Sequence, residues 1–180
     1  MFPQLTALFA ALLFGASAPF AKLLLSDVKP LQLAGLLYLG SGGGLFIIRL
    51  VRNTIIKNHT EKNTISRREI KWLAGAVLCG GIAAPVALMT GLDKSSAAVA
   101  SLLLNFEVVA TSAIAVIFFR ERTGRSVWLS VSLITFAGIL LSLDISGEWR
   151  ISPGALGILL ACVLWGFDNN FLRNISSRDP

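Results

Sequence analysis

The stretch that decides the fold is residues 91–122, GLDKSSAAVASLLLNFEVVATSAIAVIFFRER. A polar turn, Asp93-Lys94-Ser95-Ser96, leads into an apolar run from Ala97 to Phe119 that ends on Arg120-Glu121-Arg122. At about 1.5 Å per residue such a helix reaches about 34 Å, enough to cross a hydrocarbon core of about 30 Å. Asn105 and Glu107 interrupt the run near its middle. A carboxylate at that depth costs about 2.5–3.5 kcal/mol on insertion scales, which marks it as a candidate functional group. The competing reading is a structural hydrogen bond to a neighbouring helix.

The same stretch resembles the EamA-type exporters of the drug/metabolite transporter superfamily. The resemblance is carried by Gly91-Leu92, Ser96-Ala97-Ala98, the run Ala100 to Leu104, Glu107, Val109 and Glu121-Arg122. In that family a Glu-Pro-Val sits at mid-helix and a Gly-Glu-Arg at the helix exit. Here Val108 stands in place of the proline and Arg120 in place of the glycine, and the first change removes an expected helix kink. The resemblance covers most of residues 5–145 and, less specifically, 154–180. It implies a secondary carrier of ten helices that exports small metabolites or drugs, coupled to a proton or metabolite gradient.

Composition agrees with a membrane protein on independent grounds. Hydrophobic residues make up 54% of the chain and charged residues 14%, and the apolar residues fall in blocks of about twenty separated by short polar turns. The net charge of +6 does not point to nucleic acid, because the basic residues cluster between apolar blocks without interleaved aromatics. Cys79 and Cys162 both lie inside apolar blocks and read as small hydrophobes. The expected class is an all-α polytopic helical bundle embedded in a lipid bilayer.

Six apolar blocks are expected to be helices, over residues 5–25, 31–50, 72–90, 97–119, 127–143 and about 154–172. The first contains Gly15 and Pro19 among small residues that let backbones approach closely. Its Lys22 can either snorkel to the interface or contact a substrate. The second holds Gly40 and Gly44 at GxxxG spacing, a surface for helix packing that also permits a homo-oligomer. Gly80, Gly81 and Pro85 loosen the centre of the third. The short link from third to fourth block predicts antiparallel neighbours. The polar segment between the second and third blocks contains His59, a surface residue, and permits an amphipathic surface helix over Ile65–Trp72.

The sixth block repeats the first at an offset of 151, matching Leu5 with Leu156, Gly15 with Gly166 and Phe20 with Phe171. Residues 1–145 therefore read as a first five-helix repeat, and residues 146–180 as a loop and the opening helix of a second. With the N-terminus cytoplasmic, twelve basic residues fall inside and four outside, a decisive bias under the positive-inside rule. Repeats of five helices would be inverted, the recurring plan of secondary transporters. The expected location is a prokaryotic plasma (cell inner) membrane. A lone first repeat would not transport, and the sixth helix, without its own partners, is expected to be the least well held.

No phosphate-binding Gly-rich loop, no His-Glu-x-x-His and only one histidine occur, so an ATPase, a zinc site or another enzyme is not expected, and no cofactor is implied. The substrate and coupling candidates are Glu107, Asn105, Asp168, Asn169 and Lys22. On an ideal helix Ser101, Asn105 and Ser112 form one stripe, while Glu107 and Thr111 lie about 160° away from Asn105, and either face can line a cavity. Asn169 and Arg173 share a face of the sixth helix. The alternative function is a non-transporting membrane protein that acts in assembly or sensing.

The charge bias generates a direct test. A cysteine introduced at Ser146 should react with a membrane-impermeant thiol reagent in intact cells, and one at Asn63 should not. The reverse pattern would invert the orientation.

Overall fold

The computed structural model describes residues 2–55, 66–120, 124–142 and 152–176. The expectations for His59, for Glu121 and Arg122, and for the loop beyond Leu143 fall outside these residues. The described chain is helical throughout: α1 (Phe2–Leu24), α2 (Pro30–Ile55), α3 (Arg67–Ala76), a π-helical segment (Val77–Ala83), α4 (Ala84–Asp93), α5 (Ala97–Leu103), α6 (Phe106–Ile117), α7 (Arg125–Ser142) and α8 (Pro153–Ser176). Among the described residues, five stretches are long and apolar enough to span a bilayer: Gln4–Leu24, Pro30–Thr54, Glu69–Asp93, Ala97–Ile117 and Pro153–Ser176. Leucines at 73% and 75% exposure, Leu13 and Leu39, belong on such a surface, since lipid replaces water there. The protein is an all-α polytopic membrane protein.

Local signals explain the helix ends. The Glu69 carboxylate accepts the Ser66 backbone N–H at 2.7 Å, which starts α3 ahead of Trp72. The stretch from Ser66 to Trp72 is thus the first turns of the third span instead of a separate surface helix. Ser96 caps α5 by accepting the Val99 N–H at 3.2 Å, and Ser152 caps α8 through the Ala155 N–H at 3.1 Å. Lys22 on α1 donates to the carbonyls of Leu92 (2.8 Å) and Asp93 (2.7 Å). Both carbonyls lie in the last turn of α4, at the negative end of the helix dipole, and that of Leu92 also accepts the Ser95 N–H at 3.2 Å. Lys22 is therefore tied to α4 in place of free snorkelling.

The expected order of holding is reversed at α8. Far from being loose, α8 runs between the third span (α3, the π segment and α4) and α6, contacting both. It also separates the third and fourth blocks, expected as direct neighbours. Ile158 and Ala161 are fully buried, and Cys162 nearly so. The reason is the absence of side chains at the crossings. A Cβ on Gly157 would stand 2.9 Å from the Gly91 Cα and 3.1 Å from the Ala87 carbonyl. One on Gly91 would meet backbone of Gly154 and Ile158 at 2.7 Å, and one on Gly166 the Thr111 nitrogen at 3.0 Å. Without a hydrophobic driving force in lipid, such close approach supplies the van der Waals contact that holds helices together. An aromatic cluster closes the far end, with Trp72 5.5 Å from Phe171 and 6.0 Å from Phe119 between ring centres.

The glycines expected to pack helices divide differently. A Cβ at Gly15, Gly40 or Gly44 would meet no atom within 4 Å, so among the described residues none of the three packs against another helix. Gly80 does, lying against the Asp168 side chain, and Pro85 is buried, whereas Gly81 meets only the Val77 side chain of its own segment at 3.8 Å. Pro19 is exposed.

The missing proline at Val108 does not straighten the fourth span. Leu104 and Asn105 form a turn that separates α5 from α6. Backbone bonds tighten to i→i+3 there, from Asn105 to Leu102 (3.2 Å), Glu107 to Leu104 (3.0 Å) and Val108 to Asn105 (3.3 Å). The carbonyls so displaced find side chains: Asn105 Nδ2 donates to Ser101 (3.3 Å) and Leu102 (3.0 Å), and the Cys162 thiol to Leu103 (3.5 Å). A polar side chain in the ladder breaks a helix as a proline would.

Two stability predictions follow from this geometry. Gly157→Val should lower stability in detergent by about 1–3 kcal/mol, because backbone cannot move aside, while Gly40→Ala should be neutral or stabilising by up to about 1 kcal/mol. Thermal unfolding checks the contrast, and equal losses would refute it. Arg120 has φ 53° just past the end of α6, a left-handed conformation in which the family's glycine carries no Cβ penalty. Arg120→Gly should therefore raise stability by about 1 kcal/mol in the same assay.

Candidate functional site

The polar residues of the spans gather where α8 meets α6 and the π segment. Asn169 Nδ2 donates to Glu107 Oε1 at 3.0 Å and reaches Thr111 Oγ1 at 3.4 Å. One turn position along, Asn170 Nδ2 donates to the Thr111 carbonyl (3.0 Å) and to the Gly166 carbonyl (2.8 Å). Asn170 is 3% exposed, so its role is to cross-link α8 to α6 in an environment where an unpaired amide is costly. Gly166 makes the crossing possible by letting the two backbones meet at this level.

Asp168 turns the other way. Its carboxylate occupies the space a side chain at Gly80 would take, against the π segment. Asp168 and Glu107 thus lie on different sides of α8, one against the π segment and one on α6. A carboxylate in an apolar span is costly as a bare charge, which makes each a candidate functional group.

Tyr38 completes the arrangement from α2. Its hydroxyl donates to the Gly80 carbonyl at 2.9 Å, and the Trp165 side chain lies near the same hydroxyl. Tyr38 and Trp165 help line a cavity of about 300 Å³ bounded by Phe14, Ala21, Leu88, Met89 and Leu104. Its wall is almost wholly apolar. A second, more polar groove of about 510 Å³ lies between α1 and the broken fourth span, lined by Phe14, Gly15, Ala18, Ser101, Leu104, Asn105, Glu107 and Val108. Phe14, Ala18 and Leu104 border both spaces, so an apolar chamber adjoins a groove with a carboxylate in its wall.

Of the residues singled out in the sequence, Glu107 and Asn169 come together across α6 and α8, while Asp168 meets Gly80 of the π segment. Asn105 lines the groove beside Glu107 instead of lying on the opposite face. The tight turn at Leu104–Asn105 shifts the helical phase, and ideal 100° spacing ignores that turn. Lys22 lies apart from the acids, bonded to the end of α4. Tyr38, Trp165 and the Gly80 carbonyl were not singled out. The available signal was slight: Tyr38 is the lone tyrosine of the chain, in the middle of an apolar block. No group of three or more histidine, cysteine or acidic residues suited to a metal occurs among the described residues.

Comparison with known proteins bears on the chain's family. Residues 1–143 match the EamA-like transporter family. A protein of Methanothermobacter thermautotrophicus (strain Delta H) described as an uncharacterized transporter is 29% identical over 179 residues, covering 94% of this chain and 52% of its own length. The chain thus spans about half the length of that curated relative. No solved structure matches it.

Proposed function

The chain belongs to the EamA-like transporter family, and from that premise we propose that it forms part of a secondary carrier that exports small metabolites or drugs. It is a transporter-like integral membrane protein that crosses the bilayer several times. In the proposed carrier, residues 1–145 are one five-helix repeat, and α8 opens a second repeat of opposite orientation, with the N-terminus on the cytoplasmic side of a prokaryotic plasma membrane. The pathway lies between repeats, so the transporting unit includes helices beyond those described, and residues 1–180 alone do not transport.

The observation that carries this reading is Glu107. It sits mid-span in the wall of the 510 Å³ groove, hydrogen-bonded to Asn169. A carboxylate retained at that depth and open to a cavity suits proton coupling or recognition of a cationic solute. The adjoining apolar chamber suits the uncharged body of such a solute.

The alternative, a non-transporting assembly or sensing protein, draws on the open glycine face of α2. Gly40, Gly42, Gly43 and Gly44 all face open space, as a helix-contact surface would. A transport assay on the intact gene product separates the two readings.

Glu107→Gln keeps shape and one hydrogen-bond acceptor while removing the titrating group. In the intact gene product it should reduce gradient-coupled transport to background with the folded yield unchanged. Transport with an unaltered rate and pH dependence would reduce Glu107 to a packing residue.

A further inference from the structure

We propose that the Tyr38–Gly80 hydrogen bond is a gate on the α2 side of the apolar cavity, pinning that wall because Pro85 leaves the Gly80 carbonyl without a backbone donor. The third span turns π-helical over Val77–Ala83, and at the end of that segment the Ala84 N–H bonds the Cys79 carbonyl, five residues back. The next amide in that register, at position 85, would serve Gly80. Position 85 is proline, which has no N–H to give.

The Gly80 carbonyl is therefore orphaned inside the bundle, where no bulk water can satisfy it. Tyr38 Oη supplies the bond at 2.9 Å. The remaining backbone of the segment is fixed from the other side, since the Asp168 carboxylate leaves no room for a side chain at Gly80. A π-helical interruption thus presents one acceptor to α2 and a flat Cα to α8.

Helix α2 is poised to use that acceptor as a latch. Leu33 and Ala34, near its start, are buried, whereas every residue from Gly35 to Thr54 is exposed. The start of α2 is packed and its remainder is not, so the helix can pivot about the region of Leu33. Leu37 and Tyr38 form the α2 side of the 300 Å³ cavity. With the hydroxyl on Gly80 that side is held against the third span. With the hydroxyl released, the wall moves outward and the cavity opens between α2 and the third span.

The gate is a property of this bundle and does not depend on what the protein transports. The test is amide hydrogen exchange on the 180-residue chain in detergent micelles, read by mass spectrometry. Tyr38→Phe should accelerate exchange over residues 35–40 and 77–83 by about twofold to tenfold, the population shift expected from one hydrogen bond. Exchange over α6 should not change. Pro85→Ala returns an amide to position 85, so Tyr38→Phe should add little in that background.

No acceleration in the natural background, or the same factor in both backgrounds, would overturn the proposal. If Tyr38→Phe alone fails to fold, rescue by Pro85→Ala supports it and failure of rescue overturns it. A cysteine placed at Leu88 in the cavity wall, with Cys79 and Cys162 replaced by alanine, should react with N-ethylmaleimide faster by a similar factor in the Tyr38→Phe protein. Unchanged reactivity would make the bond a simple anchor and overturn the gate.

Discussion

A backbone carbonyl that loses its amide partner inside a bilayer has no water to turn to, and much of this structure follows from how such carbonyls are satisfied. Pro85 shifts the third span into a π-helical register and frees Gly80, which takes the Tyr38 hydroxyl. The turn at Leu104–Asn105 frees carbonyls that take the Asn105 amide and the Cys162 thiol. The C-terminal end of α4 takes Lys22. In each case a helix is interrupted or ended, and a side chain from the same or another span supplies the missing donor. The interruptions are thereby converted into cross-links, and the polar atoms of the bundle are concentrated where helices break.

Packing then decides which helix occupies the centre. Lipid tails compete equally for leucine side chains, so α8 gains its position through Gly154, Gly157 and Gly166, where backbone touches backbone. Once seated, α8 brings Cys162, Asp168, Asn169 and Asn170 to the breaks in the neighbouring spans. Close approach and polar satisfaction reinforce each other: the glycines allow the short distance, and the amides make it specific. The expectation of a loosely held sixth helix failed because it counted polar residues without asking which carbonyls they could reach.

The chemistry of the site rests on an imbalance among these same groups. Asn169 donates to Glu107 on the α6 side of α8, while Asp168 turns to Gly80 on the other, so the apolar spans hold two acids. A carboxylate at that depth is costly as a bare charge, which sets both apart from the packing amides.

The sequence by itself determined the class and the surroundings. The lengths of the apolar blocks, the basic residues between them and the mid-span position of Glu107 depend only on linear spacing against a bilayer of fixed thickness. Glu107, Asp168 and Asn169 were legible as candidates because a polar residue in an apolar block is conspicuous. Tertiary structure alone decided that Asn105 and Glu107 share a groove, since a tight turn altered the helical phase. It alone placed Tyr38 on Gly80, since the demand for a donor arises only once Pro85 has been built into a helix. It also assigned the packing role to Gly91, Gly157 and Gly166 over Gly40 and Gly44, because a glycine motif says that helices can approach and only the assembled bundle says which ones do.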